Sequence, residues 1–334
     1  MLKESKTNIL LWAPVFFGYD KQIKEALVSM GHTVHLVHDR PFKSAFLRAF
    51  TTRFPNFISY LLMPYYKAKL GEVSKNLDYI LVINGQTLTP SIFDLVISKN
   101  SGVKKILYLW DSIENRDNVK RIMTKFDSIF SFDINDCQNY SLDYRPLFYA
   151  PIFYNPSKAS SSLEKQQKLV VGFIGTIHSD RLKVISRFSQ KNPCVYFKKY
   201  MYLHQPWVYV VNWLKDKFFR SYRFNEFKYS SLSLVECVDF FSECDAILDI
   251  EHANQTGLTM RTLECIGMNK RLVTTNKSVI EHDFYSPNSV CMTERECPVV
   301  SDMFLKNEFL GYPDGIRFKY SLNGWIHEVF GFKS

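Results

Sequence analysis

Short apolar runs with the character of strands alternate with helical segments along this chain, stop once, and then resume. "NILLWAP" (Asn8–Pro14) reads as a buried strand, "KQIKEALVSMG" as an amphipathic helix closed by Gly31, and "HTVHLVH" as a second strand. Farther along, "DYILVING", "KKILYLWD", "DSIFSFD" and "RPLFYAP" read as strands, with "SIFDLVISKN" and "NVKRIMTKF" as helices between them. Strands joined through helices pair in parallel, because each crossover returns the chain to the same end of the sheet. The rhythm breaks at "NPSKASSSLEKQQK" (Asn155–Lys168), which holds almost nothing apolar and reads as an exposed linker. It resumes with the strands "LVVGFIG", "AILDIEH" and "RLVTTN" and the helices "SLVECVDFFSEC" and "MRTLECIGM". The expected fold class is α/β with two Rossmann-like domains. They cover residues 1–155 and 169–310, with a linker over 156–168 and a closing segment, 311–334, packing back toward the first domain.

A chain of 334 residues, 46% hydrophobic, carries enough apolar material for two cores. Its net charge of +9 calls for an anionic partner: nucleic acid, an acidic lipid surface or a phosphorylated substrate. No zinc-finger, RNP-like or helix-turn-helix pattern appears, so no nucleic-acid partner is expected. Seven cysteines at scattered spacings, none in a CxxC pair, argue for reduced thiols and against a disulfide framework or a zinc site. No secretory signal and no uncharged run of the roughly 18–20 apolar residues needed to span a bilayer is found, so the expectation is a cytoplasmic protein.

In open α/β sheets, ligands gather at the carboxyl ends of strands, where helix amino ends point N–H groups outward. "GFIGTIHSDR" supplies one such end. Gly175 would let a phosphate approach the backbone beside Thr176, and Arg181 would neutralise it. The glycine spacing is not GxGxxG, which disfavours a dinucleotide site. "ANQTGLTMRTLE" supplies another. Here Gln255, Thr256, Gly257 and Leu258 lead to Thr259 at a helix start, whose dipole and free N–H groups would hold an anion. Arg261 lies in the first turn, and Glu264, one turn on, is placed to accept hydrogen bonds from ribose hydroxyls. Thr259 as an ordinary cap and Arg261–Glu264 as a solvated pair is the competing reading.

These two segments, with "KKILYLWDSIENRDN" and "FDSIFSFDINDC" in the first half, resemble GT-B glycosyltransferases of capsule, exopolysaccharide and lipopolysaccharide synthesis. The resemblance implies two Rossmann-like domains facing across a cleft. The first would hold a lipid-linked or oligosaccharide acceptor, and the second a nucleotide-diphosphate sugar carried on UDP or GDP. It implies glycosyl transfer without a metal or other cofactor. The pyrophosphate would meet Arg181 and the Gly257–Thr259 helix start, with Glu264 on the ribose. Many retaining members place two glutamates around seven other residues at this helix; Glu264 matches the second, and Thr256 stands at the first. Arg261, Lys270 and Arg271 are further cationic candidates.

A general base would come from the acceptor side: Asp111 at the end of "ILYLWD" or Asp20 in "FFGYD", with His178 as a third option. The stretch Arg40–Gly71 has six basic residues and no acidic one, and suits either an anionic membrane surface or ordinary core packing. A second basic aromatic stretch, Lys198–Phe224, allows the same two readings, with core packing favoured. Two other functions fit the same scaffold: a non-catalytic nucleotide- or glycan-binding protein, and a sugar-nucleotide epimerase.

Overall fold

A computed structural model describes residues 6–16, 18–39, 55–71, 73, 76–100, 102–115, 117–155, 168–252 and 257–332. The chain divides into two compact units, Met1–Leu147 with Leu322–Ser334, and Phe148–Ser321.

Unit 1 holds β1 (Asn8–Ala13), α1 (Tyr19–Ser29), β2 (Thr33–His38), α2 (Pro55–Gly71), β3 (Tyr79–Ile83), α3 (Pro90–Ile97), β4 (Lys104–Leu109), β5 (Ser128–Ser131), α4 (Ile134–Tyr140) and the two-residue edge strand β6 (Asp143–Tyr144). Its sheet runs β2-β1-β3-β4-β5-β6, and every pairing is parallel. Leu10, Trp12, Ile80, Val82, Leu107 and Leu109 alternate along the strands. They bury against Ile92, Phe93 and Val96 of α3 and Leu62, Tyr66 and Leu70 of α2. The described part of the Arg40–Gly71 stretch, 55–71, therefore sends one face of α2 into the core; Tyr60 and Leu61 stay exposed. The remainder, 40–54, lies outside the described residues.

"NVKRIMTKF" does not form an α-helix. Short 3-10 turns at Asp117–Arg121 and Met123–Lys125 carry the chain from β4 to β5. Val119 and Ile122, three positions apart, are both fully buried, which suits a turn whose side chains repeat every third residue.

Unit 2 holds β7 (Leu169–Thr176), α5 (Arg181–Lys191), β8 (Val195–Tyr202), α6 (Pro206–Lys215), α7 (Leu234–Ser242), β9 (Ala246–Asp249), α8 (Met260–Gly267), β10 (Arg271–Thr274), β11 (Val290–Met292), α9 (Asp302–Lys306) and α10 (Asp314–Lys319). The order is β11-β10-β9-β7-β8, again all parallel. Counted within its own unit, this is 2-1-3-4-5, the same order as the first five strands of unit 1. "RPLFYAP" is not a strand. Its backbone makes one parallel bridge, Tyr149 to Ser321, and Tyr149 lies so close to Gly267 that a Cβ there would sit 2.7 Å from the ring.

The last helix, α11 (Leu322–Phe330), belongs to unit 1. Trp325 meets Tyr108 edge-on at 4.8 Å, and Glu328 pairs with the fully buried Arg145 at 2.9 Å. Residues 156–167, most of the expected linker, lie outside the described residues. Among the described residues no helix is long and apolar enough to cross a membrane.

Candidate functional site

In a doubly wound sheet the crevice opens where strand order reverses, outside the carboxyl ends. In unit 2 that point lies between β7 and β9. The loop after β7 is tight: Ser179 takes a left-handed φ of 52°, and the N–H of Arg181 returns to the carbonyl of His178 at 3.2 Å. A non-glycine residue held there costs conformational energy, a pattern concentrated at ligand sites.

Arg181, the first residue of α5, folds inward. Its Nε donates to the carbonyl of Ile250 at 3.0 Å, Nη2 to the same oxygen at 2.5 Å, and Nη1 to the carbonyl of Thr176 at 2.9 Å. The guanidinium thus ties the ends of β7 and β9 together while the carboxylates of Asp249 and Glu251 stabilise its charge; burial lowers its pKa below the ordinary arginine value. Gly175 has a packing reason as well. A Cβ there would lie 2.7 Å from the ring of Phe173, so the glycine also lets that ring pack against the end of β7.

Around this tie lies an ion network that the sequence did not announce. Arg295, in the loop after β11, grips Asp180 in bidentate fashion, Nη2 to Oδ1 at 2.7 Å and Nε to Oδ2 at 2.9 Å. Its Nη1 donates to Glu251 Oε1 at 2.8 Å, and Thr275 donates its hydroxyl to the other oxygen of Glu251. Hydrogen bonding to Arg295 holds Asp180 below the usual carboxylate range, whereas burial pushes Glu251 up. Beside the network, His178 and His252 stack at 5.5 Å, with Ser179 Oγ 3.2 Å from the first ring and 3.5 Å from the second. Burial, reinforced by the charge of Arg181, lowers the His178 pKa to about 4, so this imidazole is neutral near pH 7.

The start of α8 is closed from beneath. Thr259 caps the N–H of Thr262 at 3.2 Å, and the hydroxyls of Thr259 and Thr262 both donate to Asp249 Oδ2 at 2.7 Å. A buried carboxylate therefore occupies the back of a helix start that was expected to stand open for an anion. Leu258 is buried, and the carbonyl of Gly257 accepts from Asn276 at 3.2 Å. Gln255 and Thr256 lie outside the described residues. Arg261 and Glu264 form an ion pair in which Glu264 is buried and Arg261 half-buried: Nη1 donates to Oε2, and the guanidinium lies 4.6 Å from the ring of Phe241 on α7. Lys270 and Arg271 sit at the amino end of β10, away from the carboxyl edge. They donate to the carbonyls of Ser242 and Phe304, so the structure gives both a packing role.

In unit 1 strand order reverses between β1 and β3. Asp39, fully buried at the end of β2, accepts from Trp12 Nε1 at 3.1 Å and from the N–H groups of Gln86 and Thr87 at 2.8 and 2.9 Å. It staples the loop after β3 to β2. Asp20, in the first turn of α1, is 1% exposed; Oδ2 lies 3.1 Å from His38 Nε2, and Oδ1 has no hydrogen-bond partner among the described residues. Asp111 is half-buried, and its Oδ1 accepts the N–H of Ser112 at 3.1 Å. The loops that carry Asp20 and Asp111 meet through Phe16 and Trp110, whose rings are 5.6 Å apart. The structure thus brings Asp20 and Asp111 to one edge of unit 1, and His178 and Arg181 to the corresponding edge of unit 2. His38, Asp180, Glu251, His252 and Arg295 are the members that sequence reasoning missed. The local signal they leave in the sequence is "DIEH", which puts Glu251 and His252 just past the end of a strand.

Two doubly wound parallel sheets, each with polar groups gathered at its switch point, define a two-domain Rossmann-like protein. No family model matches the sequence, and no curated protein is similar to it. Among solved structures, the chain is similar to the lipopolysaccharide outer core galactosyltransferase WaaB in its apo form. The match has a TM-score of 0.52 at 9% identity and covers 97% of this chain and 99% of that one. It is also similar to an alpha-glucosyltransferase in complex with UDP and a 13-mer DNA containing an A:G mismatch, with a TM-score of 0.53 at 12% identity over 85% of this chain and 81% of that one. At such identity the likeness establishes the fold, and that fold is the GT-B architecture.

Proposed function

We propose that the protein is a metal-independent GT-B glycosyltransferase. It would move a sugar from a nucleoside-diphosphate sugar, on UDP or GDP, to a growing surface glycan of the lipopolysaccharide, O-antigen or capsule kind. The observation that carries this reading is the pairing of two arginines, Arg181 and Arg295, with the start of α8 around one switch point of unit 2.

In the transfer, the bond from the sugar C1 to the diphosphate oxygen breaks, a bond from C1 to an acceptor oxygen forms, and the acceptor loses a proton. Charge gathers on the leaving diphosphate, and fixed cations at that point supply the largest share of its stabilisation. Arg295 would exchange Asp180 or Glu251 for the diphosphate, and Glu264, oriented by Arg261, would take the ribose. For the acceptor proton, the Asp20–His38 pair is the best-built group. In the tautomer that donates Nε2–H to the buried carboxylate, Nδ1 would face the acceptor proton. Under inversion the pair is the base; under retention it orients the acceptor hydroxyl, whose proton passes to the leaving diphosphate oxygen. The anomeric configuration of the product, read by NMR, separates the two.

A second reading, a non-catalytic nucleotide-binding protein, is favoured by one observation: Arg181, Arg261 and Arg295 already carry intramolecular partners that a bound anion must displace. A thermal-shift screen over UDP-, GDP-, CMP- and dTDP-sugars finds the donor, and release of nucleoside diphosphate with acceptor present then tests turnover. Arg181→Ala and Glu264→Ala are expected to impair donor use; wild-type donor affinity and turnover in both would refute the site. Binding without turnover against every acceptor would establish the second reading.

A further inference from the structure

α6 turns its most apolar face to solvent. Trp207, Val210, Trp213 and Leu214 are 64, 51, 41 and 61% exposed, and at the helical period they fall within roughly a third of the circumference. The opposite face, through Val208 and Tyr209, packs on the core of unit 2, and no residue of the helix is fully buried. An ordinary surface helix has the reverse arrangement.

Cations rim this face. Arg220 caps the end of the helix, Nε to the carbonyl of Trp213 at 2.8 Å and Nη2 to that of Leu214 at 3.0 Å, and its guanidinium lies 5.3 Å from the Trp213 ring. Lys215, Lys217 and Arg223 are exposed beside it. The one acidic residue between Pro206 and Phe224, Asp216, turns its carboxylate back to the N–H of Phe218. Exposed tryptophans with branched aliphatics on one face and lysine and arginine at its rim match the layered chemistry of a bilayer surface. The rings sit at headgroup depth, the aliphatics reach the acyl boundary, and the cations meet lipid phosphates.

We propose that α6 seats unit 2 on an anionic lipid bilayer as a monotopic docking element. Charge complementarity selects this occupant: the net charge of +9 draws the chain toward a negative leaflet, and the rim cations hold it there. The Lys198–Phe224 stretch, for which the sequence favours core packing, thus divides. Its first part is the strand β8, and its middle is this exposed helix.

Co-sedimentation of the full chain with phosphatidylglycerol–phosphatidylcholine vesicles at low salt tests the proposal, alongside tryptophan quenching by brominated acyl chains. Wild type is expected to bind and to be quenched, and a Trp110→Phe background to be quenched equally, since Trp12 and Trp325 are buried, Trp110 is half-buried, and Trp207 and Trp213 are exposed. Trp207→Ser with Trp213→Ser should lower partitioning about tenfold or more at an unchanged melting temperature, and Lys215→Gln with Lys217→Gln should do so only at low salt. Wild-type protein left in the supernatant, unquenched tryptophans, or a tryptophan variant that binds like wild type would overturn it. So would a variant that converts a self-associated species to monomer without changing lipid binding. Should that variant unfold, quenching in the wild type decides alone.

Discussion

The carboxyl edges of the two sheets share a strand order and differ in chemistry. Unit 2 crosses its switch point with ion pairs, Arg295 to Asp180 and Glu251, and with Arg181 spent on two carbonyls. Unit 1 crosses its own with carboxylates held by neutral donors. Asp39 takes indole and backbone N–H groups there, and farther along the same edge, after β5, Asp136 takes the N–H of Ile113 while burial raises its pKa. Under the proposed transfer, the first edge would set positive charge against an anionic donor, and the second would position a carboxylate and an imidazole for a neutral hydroxyl. The difference separates two sheets that strand order alone does not distinguish.

The largest expected effect breaks the acceptor edge. Asp20→Asn should lower kcat by about a hundredfold or more with little change in donor KM, because a positioned base or orienting group acts on the chemical step. Nucleoside-diphosphate release kinetics read both, and an unchanged kcat assigns the role elsewhere. Asp39→Ala removes four hydrogen bonds to one buried carboxylate and should cost about 3 kcal/mol of unit 1 stability in urea titration. Arg295→Met leaves Asp180 and Glu251 without their shared cation; about 2 kcal/mol of unit 2 stability and the affinity for donor should fall together. Stability lost without affinity would make Arg295 a purely structural residue.

The smallest effect is a pH dependence of unit 2. Burial lowers His178 and His282 to about 4. Unfolded, both take up a proton below about 6.5. Folded, they stay neutral until about 4, so their contribution is intact above 6.5 and is lost as pH falls from 6.5 toward 4. Thermal melts across that range should show the decline, shallower in His282→Phe.

The strands were legible where both faces are buried, since runs such as Ile9–Ala13 and Ile80–Ile83 leave no other reading. β8 was not, because Lys198 and Lys199 interrupt its apolar pattern where one face meets solvent. The Phe148–Tyr149 run was apolar for a different reason, packing against α8 instead of pairing in a sheet. At the site, Gly257, Thr259 and Glu264 were visible because they lie close together in sequence. The grip of Arg295 on Asp180 joins residues 115 positions apart, and only the strand order brings their loops together. The roles of Arg181 and Gly175 could be guessed from residue type, but not the carbonyls and the Phe173 ring that already engage them.

Calorimetric titration of UDP and GDP into wild-type protein and Arg295→Met bears most directly on a donor site at the unit 2 switch point. Saturable single-site binding of one nucleotide, weakened about tenfold or more in the variant at a temperature where both are folded, is the expected outcome. No heat from either nucleotide, or equal affinity in the two proteins, would remove the donor from this edge.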